Sequence, residues 1–350
     1  MPPSSVRAVA PAIPDFWEPT LGGVDSRTLR SAVLDRLRRS VGFDAYVFLL
    51  TDPVTCVGSS PLADVSVALL LPQLPTLIRL KYLSSVNRWT SLESVARLSS
   101  PSASLMWQSL LANYGVTDIA SAVFRDRFGC WGWLDLWRVG SSFTSSDLSA
   151  IGAVVPEVTS SLRACQAATF DAVGETSPRP GPAVLLLSPS LAVREQTPDT
   201  HAYLQALLPP SAIPAGAYNV AAQLLAVEAG VDDHPPSARV HLTDSGWLTL
   251  RAARLGDDIA VTIEECQPGD RLDLFARATG LSTRETELLS LLAEGLDTKE
   301  VAMRMFLSEH TVQDHLKSVF AKAGTRSRRA ILARALGHRR RDGPRNPLLT

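Results

Sequence analysis

The sequence has few of the residues that metal, disulfide and haem chemistry need. It contains only four cysteines, Cys56, Cys130, Cys165 and Cys266, and no two of them form a C-x-x-C pair. This excludes a zinc ribbon and gives no disulfide framework, so reduced thiols are expected. No histidine precedes His201, which excludes a histidine-ligated haem in the first domain. A thiolate-bound haem or a bilin on Cys56 or Cys130 stays open, but a lone cysteine is usually a small buried apolar side chain, so we expect no metal site and no cofactor.

Long apolar runs are also missing. The longest, residues 67–78, is interrupted by Pro72 and Pro75, and the first 17 residues lack the continuous apolar segment of a signal peptide. We therefore expect a cytoplasmic protein that does not enter a membrane. An apolar fraction of 45% and a charged fraction of 20% fit a globular chain, and 350 residues suggest two or three domains.

Enzyme signatures are absent from the sequence. It has no Walker loop, no G-x-S-x-G, no H-E-x-x-H and no cluster of histidine and acidic residues. Asp52 ends a predicted strand, as the acceptor aspartate of a phosphorylated receiver does. A receiver also needs an acidic pair near its first strand, and residues 9–13 contain no acid. We expect neither an enzyme nor a receiver, and we assign no catalytic residue.

Charge is divided unevenly along the chain. Residues 281–341 contain 12 Lys+Arg against 7 Asp+Glu, whereas residues 1–280 contain 21 against 27. Three of the four lysines, Lys299, Lys317 and Lys322, lie in the basic segment. A basic end on an acidic body is the electrostatic pattern of a nucleic-acid-binding module.

Four short helices are predicted between Leu281 and Gly337, each with a start and a stop signal. The signals are capping boxes, serine N-caps and glycine stops. In chain order they are Ser282 with Glu285, Gly295, Asp297 with Glu300, Ser308, Gly324, Ser327 and Gly337.

The second and third of these helices have the proportions of a helix-turn-helix. They are predicted to be about eight and fifteen residues long, joined by a very short turn at Phe306 and Leu307. If the apolar stripe of the third helix is buried, then Gln313, Asp314 and Lys317 share the opposite face. These side chains can hydrogen-bond to base edges in a major groove.

This segment resembles the LuxR/FixJ-type helix-turn-helix of bacterial transcription regulators. The matching stretches are Leu281–Glu285 (LSTRE), Lys299–Ala302 (KEVA), Ser308–His315 (SEHTVQDH) and Lys322–Gly324 (KAG). The resemblance covers residues 281–336 and implies a four-helix domain that binds double-stranded DNA, usually as a homodimer. Gln313 departs from it, because the family usually has a basic residue there, and this puts the usual phosphate contact in doubt.

The expected DNA contacts form two groups, which rest on helix geometry and on the resemblance. The residues expected at phosphates are Lys299, Thr311, Lys322, Arg326 and Arg328. The residues expected at base edges are Gln313, Asp314 and Lys317. His315 is expected to pack or to face a phosphate rather than to bind a metal.

The segment from Ser26 to Ala168 is predicted to be an α+β domain. It reads as an opening helix, a strand at 45–50, a second near 54–57, a helix at 105–114, a hairpin of strands 118–125 and 130–138, and a long helix from Thr144. Its last part resembles the end of a GAF domain. Trp131, Trp133 and Trp137 are expected on one strand face with Asp135, as core, as the wall of a ligand site or as a dimer contact.

The segment from Pro182 to Glu265 is predicted to be a second α+β domain. Strands are expected at 184–187 and 191–193, helices at 200–208 and 220–231, and three strands at 238–243, 247–253 and 259–264. This order resembles a PAS domain. Pro-rich residues between the two segments indicate a linker.

The predicted organisation is an N-terminal arm (1–25), a GAF-like domain (26–168), a linker (169–181), a PAS-like domain (182–265), a connector helix (266–280), the helix-turn-helix domain (281–337) and a flexible tail (338–350). We expect a transcriptional regulator that binds promoters, with the upstream domains acting in sensing and dimerisation. The effector, the residues that bind it, and a contact with RNA polymerase stay open. The alternative is a signalling protein whose basic module docks a protein partner.

Overall fold

The structure is a computed structural model, and it describes residues 25–65, 73–98, 100–171, 183–198, 200, 215–241 and 246–337. All but the first residue of the helix expected at 200–208, the tail at 338–350, and most of the N-terminal arm and of the linker lie outside these residues. Within them, no helix is long and apolar enough to span a membrane.

The first part of the chain forms a five-stranded antiparallel sheet with helices on both faces. Its elements are α1 (Ser26–Ser40), β1 (Ala45–Thr51), β2 (Gly58–Asp64), α2 (Leu74–Leu83), β3 (Ala96–Arg97), α3 (Leu105–Ser109), β4 (Val116–Asp126), β5 (Gly129–Val139) and α4 (Ser145–Ala168). The strand order is β2-β1-β5-β4-β3. Helix α4 begins at Thr144, whose side chain forms the expected capping box with Asp147. Helices α1 and α4 pack together on one face of the sheet.

A second five-stranded antiparallel sheet follows. It contains β6 (Ala183–Leu187), β7 (Val193–Gln196), β8 (Ser237–His241), β9 (Trp247–Leu255) and β10 (Asp258–Glu265), with α5 (Ala215–Glu228) between β7 and β8. The strand order is β7-β6-β10-β9-β8. If the strands of each sheet are numbered one to five in chain order, the spatial order in both sheets is 2-1-5-4-3. The two sheets therefore share one topology.

The two sheets are joined through a common apolar core. Helix α5 is buried nearly all round, because it packs on β9 and β10 on one side and on α2 and β2 on the other. Two of its polar side chains hydrogen-bond across the junction. Asn219 Nδ2 donates to Gly58 O at 2.8 Å, and Gln223 Oε1 accepts from Arg88 Nη2 at 3.2 Å. The expected picture of two upstream units separated by a linker therefore omits a large buried contact between them.

The remainder of the described chain is helical. It comprises α6 (Pro268–Ala278), α7 (Thr283–Ala293), α8 (Thr298–Met305), α9 (Glu309–Lys322) and α10 (Arg328–Leu336). We call α7 to α10 the helical module. Two antiparallel sheets with helices, followed by this all-helical module, give the α+β architecture expected from the sequence.

Two expected strands are displaced. Residues 54–57 form a turn, because Asp52 Oδ1 accepts the backbone N–H groups of Val54 and Thr55 at 2.9 and 3.2 Å, and β2 begins only at Gly58. The strand expected at 191–193 begins only at Val193, the first residue of β7, because Leu191 has a φ of 63° and lies in a tight turn.

Two further expectations in the first sheet were wrong. The helix expected at 105–114 ends at Ser109, and a separate short 3-10 helix covers Leu111–Tyr114. The three tryptophans do not share one strand face. The pairing of β4 with β5 shifts between Phe124 and Arg125, and Trp131 packs with α1 and α4. Trp133 and Trp137 lie in the clusters that contain α2 residues.

Candidate nucleic-acid interface

The helical module has the predicted helix starts. Ser282 and Glu285 form a complete capping box at α7, and Asp297 and Glu300 form one at α8. Ser308 Oγ accepts from Thr311 N at 3.1 Å at the start of α9. Because these bonds satisfy backbone N–H groups that a helix leaves open, they fix where each helix begins.

Helix α9 buries one face and exposes the other. Val312, Leu316 and Val319 are buried against α7 and α8. Gln313, Asp314 and Lys317 are all exposed, so the structure brings these three predicted base-reading residues onto one open surface. We call this the α9 surface. His315 is half-buried at its edge.

An ion pair runs across the α9 surface. Lys317 Nζ lies 2.9 Å from Asp314 Oδ1, and their side chains are 73% and 55% exposed. The hydrogen bond and charge of Lys317 lower the pKa of the Asp314 carboxyl. Asp314 therefore stays ionised and competes with any other acceptor for the ammonium of Lys317. Sequence reasoning gave the two residues separate roles and missed this competition.

Lys322 has a partner within the module. Its Nζ lies 2.6 Å from Glu285 Oε2, and Ser318 Oγ donates to Glu285 Oε1 at 2.6 Å. Burial alone would raise the pKa of Glu285, but the bonds from Lys322, the Ser282 backbone and Ser318 lower it to about 2. Lys322 thus ties the end of α9 to the start of α7. An ammonium held in this way is less free for a phosphate than the sequence suggested.

The other predicted phosphate-facing residues differ in freedom. Lys299 and Arg326 are exposed, and within the described residues neither has an ion pair. Arg328 is half-buried and donates to the carbonyl oxygen of Leu296. Thr311 is half-buried at the start of α9, where its hydroxyl lies 2.9 Å from Ser308 Oγ. Lys299 and Arg326 are therefore the most available of the set.

The turn between α8 and α9 contains an exposed residue that sequence reasoning treated only as a connection. Phe306 ends α8 with a φ of 57°, and the residue is 94% exposed. Left-handed backbone is unfavourable for a residue with a Cβ. Met303, one turn earlier on α8, is 62% exposed. Residues 305–307 are all apolar, so the sequence did not indicate that Phe306 is exposed to solvent.

The module is docked on the upstream region without covering the α9 surface. Helix α6 packs on α10 and on α4, and Phe275 of α6 lies edge-on to Phe170 with ring centroids 5.2 Å apart. Arg334 of α10 pairs with Asp171. These contacts use α6 and α10, so the described arrangement leaves the α9 surface exposed.

A largely buried arginine connects the two sheets to α6. Arg239 of β8 binds both oxygens of Asp52, at 2.7 Å through Nε and 2.9 Å through Nη2, and its Nη1 lies 2.9 Å from Asp273 Oδ2. Burial would raise the pKa of Asp52, yet the bonds from Arg239 hold it below its usual range. The residue that resembled a receiver's acceptor therefore has a structural partner.

Comparison with known proteins concerns mainly this module. Residues 279–335 match the family model described as bacterial regulatory proteins, luxR family. This stretch includes α7, α8, α9 and all but the last residue of α10. The predicted resemblance at the C-terminal end is thus confirmed.

The chain is also similar to two curated regulators. It is 32% identical over 118 residues to the probable HTH-type transcriptional regulator GfsR of Streptomyces halstedii, which covers 29% of this chain and 48% of that protein. It is 43% identical over 70 residues to the DNA-binding transcriptional activator DevR/DosR of Mycobacterium tuberculosis, covering 19% of this chain and 32% of that protein. The chain thus spans less than half the length of these relatives.

A crystal structure of Escherichia coli SdiA aligns over 90% of this chain and 92% of its own, with 12% identity and a TM-score of 0.34. The similarity to the transcriptional regulators GfsR and DevR/DosR does not favour the alternative of a module that docks only a protein partner.

Proposed function

We propose that the chain is a bacterial transcriptional regulator that binds promoter DNA through the helical module. The observation that supports this most strongly is the α9 surface. It presents Gln313, Asp314 and Lys317 on the exposed face of the second helix of a helix-turn-helix, inside the segment that matches the luxR family model. The α9 helix enters the major groove, and these three side chains read base edges.

Phosphate contacts come from the cations around that surface. Lys299 and Arg326 are exposed and neutralise phosphates, while Thr311 at the start of α9 donates to one. Lys322 and Arg328 contribute to a smaller extent, because each also binds within the module. Two modules bind paired half-sites in a homodimer.

The two upstream sheets act as sensor units. We propose a GAF-like unit for the first sheet and a PAS-like unit for the second. Their shared strand order supports two related folds, and their common core supports transmission of a change in one to the other. Arg239, which binds both Asp52 and Asp273, provides a route from the first sheet to α6 and so to the module.

Salt-dependent binding of the full chain tests the DNA-binding role. Fluorescence anisotropy with a labelled duplex should show an affinity that falls linearly with salt on logarithmic axes. Lys299→Ala should weaken binding to all sequences alike and reduce the salt slope by about 1. Lys317→Ala should instead weaken binding to the preferred sequence by roughly tenfold and relax the preference at one base position.

Arg27→Ala is the matched control. Arg27 is exposed on α1 and is remote in sequence from the module. Its replacement by Ala removes one positive charge, as Lys299→Ala and Lys317→Ala do. It should change neither the affinity nor the slope. If all three variants lose affinity equally, then net charge alone binds DNA, and the assignment of α9 to base reading is wrong.

A further inference from the structure

Two cysteines that are far apart in the sequence meet at one end of the first sheet. Cys56 lies in the turn between β1 and β2, and Cys130 is the second residue of β5. The two residues are only 5% and 1% exposed, and both thiols are free. The side chains are close enough for the thiol of Cys56 to donate a hydrogen bond to the sulfur of Cys130. Neither residue takes part in the proposed DNA contacts, so the pair invites an explanation of its own.

Backbone hydrogen bonds hold both cysteines against the same three residues. Cys130 N donates to Pro53 O at 3.1 Å, and Thr51 Oγ1 donates to Cys130 O at 2.7 Å. Cys56 N donates to Asp52 O at 2.9 Å. A disulfide needs two Cα atoms that are about 4.4–6.8 Å apart and side chains that point toward each other. Because residues 51–53 anchor both backbones and the thiols already interact, little movement is needed to join the two sulfur atoms.

The turn that contains Cys56 lies directly against β5. A Cβ added to Gly129 would lie 2.5 Å from Pro53 Cβ and 2.6 Å from Pro53 O, so this approach requires a glycine. Cys56 itself has a φ of 58°, which is uncommon for a residue with a Cβ. Strained backbone of this kind is often found at functional positions. A cysteine that only fills space in a core does not need such a conformation.

The two thiols differ in reactivity. The hydrogen bonds from Cys56 and Thr51 lower the pKa of Cys130 to about 7, although burial opposes this shift. The bond that Cys56 donates to Cys130, together with burial, raises the pKa of Cys56. Because the thiolate is the nucleophile, Cys130 is the thiol that attacks an oxidant. Cys56 keeps its proton and is placed to resolve the product.

The oxidant that suits this site is small and uncharged, since the two residues are nearly buried. Hydrogen peroxide meets both conditions. The Cys130 thiolate attacks one peroxide oxygen and the O–O bond breaks, which gives a sulfenic acid and a hydroxide ion that takes up the proton Cys130 had released. The Cys56 sulfur then attacks the sulfenic sulfur, an S–S bond forms, and the S–O bond breaks with loss of water. In sum, two thiols and one peroxide give one disulfide and two water molecules.

We propose that Cys56 and Cys130 form an intramolecular disulfide on reaction with hydrogen peroxide, which links the β1–β2 turn covalently to β5. The same turn contacts the second sheet, because Thr55 Oγ1 donates to Ser237 O at 2.5 Å. The bond therefore forms where the two sheets meet. Its formation does not depend on the proposed DNA-binding function, so the two can fail separately.

Peptide mapping of the full chain tests the proposal. The reduced protein is freed of reductant, treated with hydrogen peroxide, alkylated and digested, and the peptides are identified by mass spectrometry. We expect a peptide pair joined through Cys56 and Cys130, lighter than the two thiol peptides by two hydrogen atoms and separated again by dithiothreitol. Cys165 and Cys266 are the matched controls, because burial raises the pKa of each. They should lose their thiols at least roughly tenfold more slowly than Cys130.

Single variants identify the attacking thiol. Cys56→Ser removes the resolving thiol and keeps a donor, so Cys130 should stop at the sulfenic acid and be labelled by dimedone. Cys130→Ser should leave Cys56 unlabelled. Equal labelling in the two variants would overturn the assignment of Cys130 as the attacking thiol. The map of the parent decides the proposal even if both variants fail to fold. If excess peroxide leaves both thiols alkylatable, or oxidises Cys165 or Cys266 first, the proposal is overturned.

Discussion

Lys322 gives a prediction that separates a structural role from a DNA contact. Replacing it with Met keeps the length of the side chain and removes the ammonium that lies 2.6 Å from Glu285. Glu285 has a side chain that is 5% exposed, and it would lose one of its donors while Ser318 and the Ser282 backbone remain. We expect the α7–α9 contact to weaken, because a nearly buried carboxylate then lacks its counter-ion.

The size of the effect follows from the pKa of Glu285. A fall from 4.5 to about 2 corresponds to roughly 3 kcal/mol in favour of the folded state above pH 4.5, shared among all donors. The side chain of Lys322 is 37% exposed, so solvent screening reduces its share to about 1 kcal/mol. This stabilisation is fully present above pH 4.5 and is lost as the pH falls toward 2.

Hydrogen exchange of the full chain measures the change. Amides of residues 282–292 should exchange about fivefold faster in Lys322→Met at neutral pH, and the difference should shrink as the pH is lowered through 4. Lys299→Met is the matched control, since Lys299 is exposed and should leave this exchange unchanged. Unchanged exchange in Lys322→Met together with a large loss of DNA affinity would refute the structural role and place the ammonium on a phosphate.

Three further substitutions test the α9 surface, the turn between α8 and α9, and the contact of Arg239 with Asp52. Asp314→Asn should raise non-specific DNA affinity several-fold and reduce base discrimination, because it removes a negative charge and frees the ammonium of Lys317. Weaker binding in fluorescence anisotropy would contradict this. Phe306→Gly should raise the melting temperature, with a gain of up to about 1 kcal/mol, since glycine adopts positive φ freely; a lower value would mean that the phenyl ring makes stabilising contacts. Arg239→Met should lower the free energy of unfolding by about 3–5 kcal/mol in chemical denaturation, because it leaves the buried carboxylate of Asp52 without a counter-ion. A decrease of less than about 1 kcal/mol would rule out Arg239 as the link between the sheets and α6.

The helix boundaries of the module could be predicted because their signals are local. A capping box such as Ser282 with Glu285 joins residues three positions apart, so its geometry follows from the sequence itself. The same holds for Thr144 with Asp147 at the start of α4. Hydrophobic spacing also located the buried face of α9, and with it the exposed Gln313, Asp314 and Lys317.

Misplaced strands arose where side chains and tight turns interrupt an alternating pattern. Residues 54–57 are of types that favour strands, but the Asp52 carboxylate accepts hydrogen bonds from backbone N–H groups that a strand would use. An Asp followed by Pro was the available signal. The irregularity near Trp131 reversed which face that ring occupies, and alternation alone does not reveal such a shift.

Contacts between residues that are distant in the sequence could not be predicted. Lys322 and Glu285 are 37 positions apart, and Arg239 and Asp52 are 187 apart. One general signal was present: α5 is apolar on nearly all sides, and a helix of that kind has to be covered all round. That feature indicated that the second sheet would share its core with a neighbouring unit.

Selection of binding sequences by the full chain from a random duplex pool at near-physiological salt tests whether the α9 surface reads base sequence. We expect an enriched motif with two-fold symmetry, and loss of the preference at one position of each half-site in Lys317→Ala. No enrichment by the full chain, with the parent and Lys317→Ala retaining the same pool of sequences, would contradict sequence reading by the α9 surface.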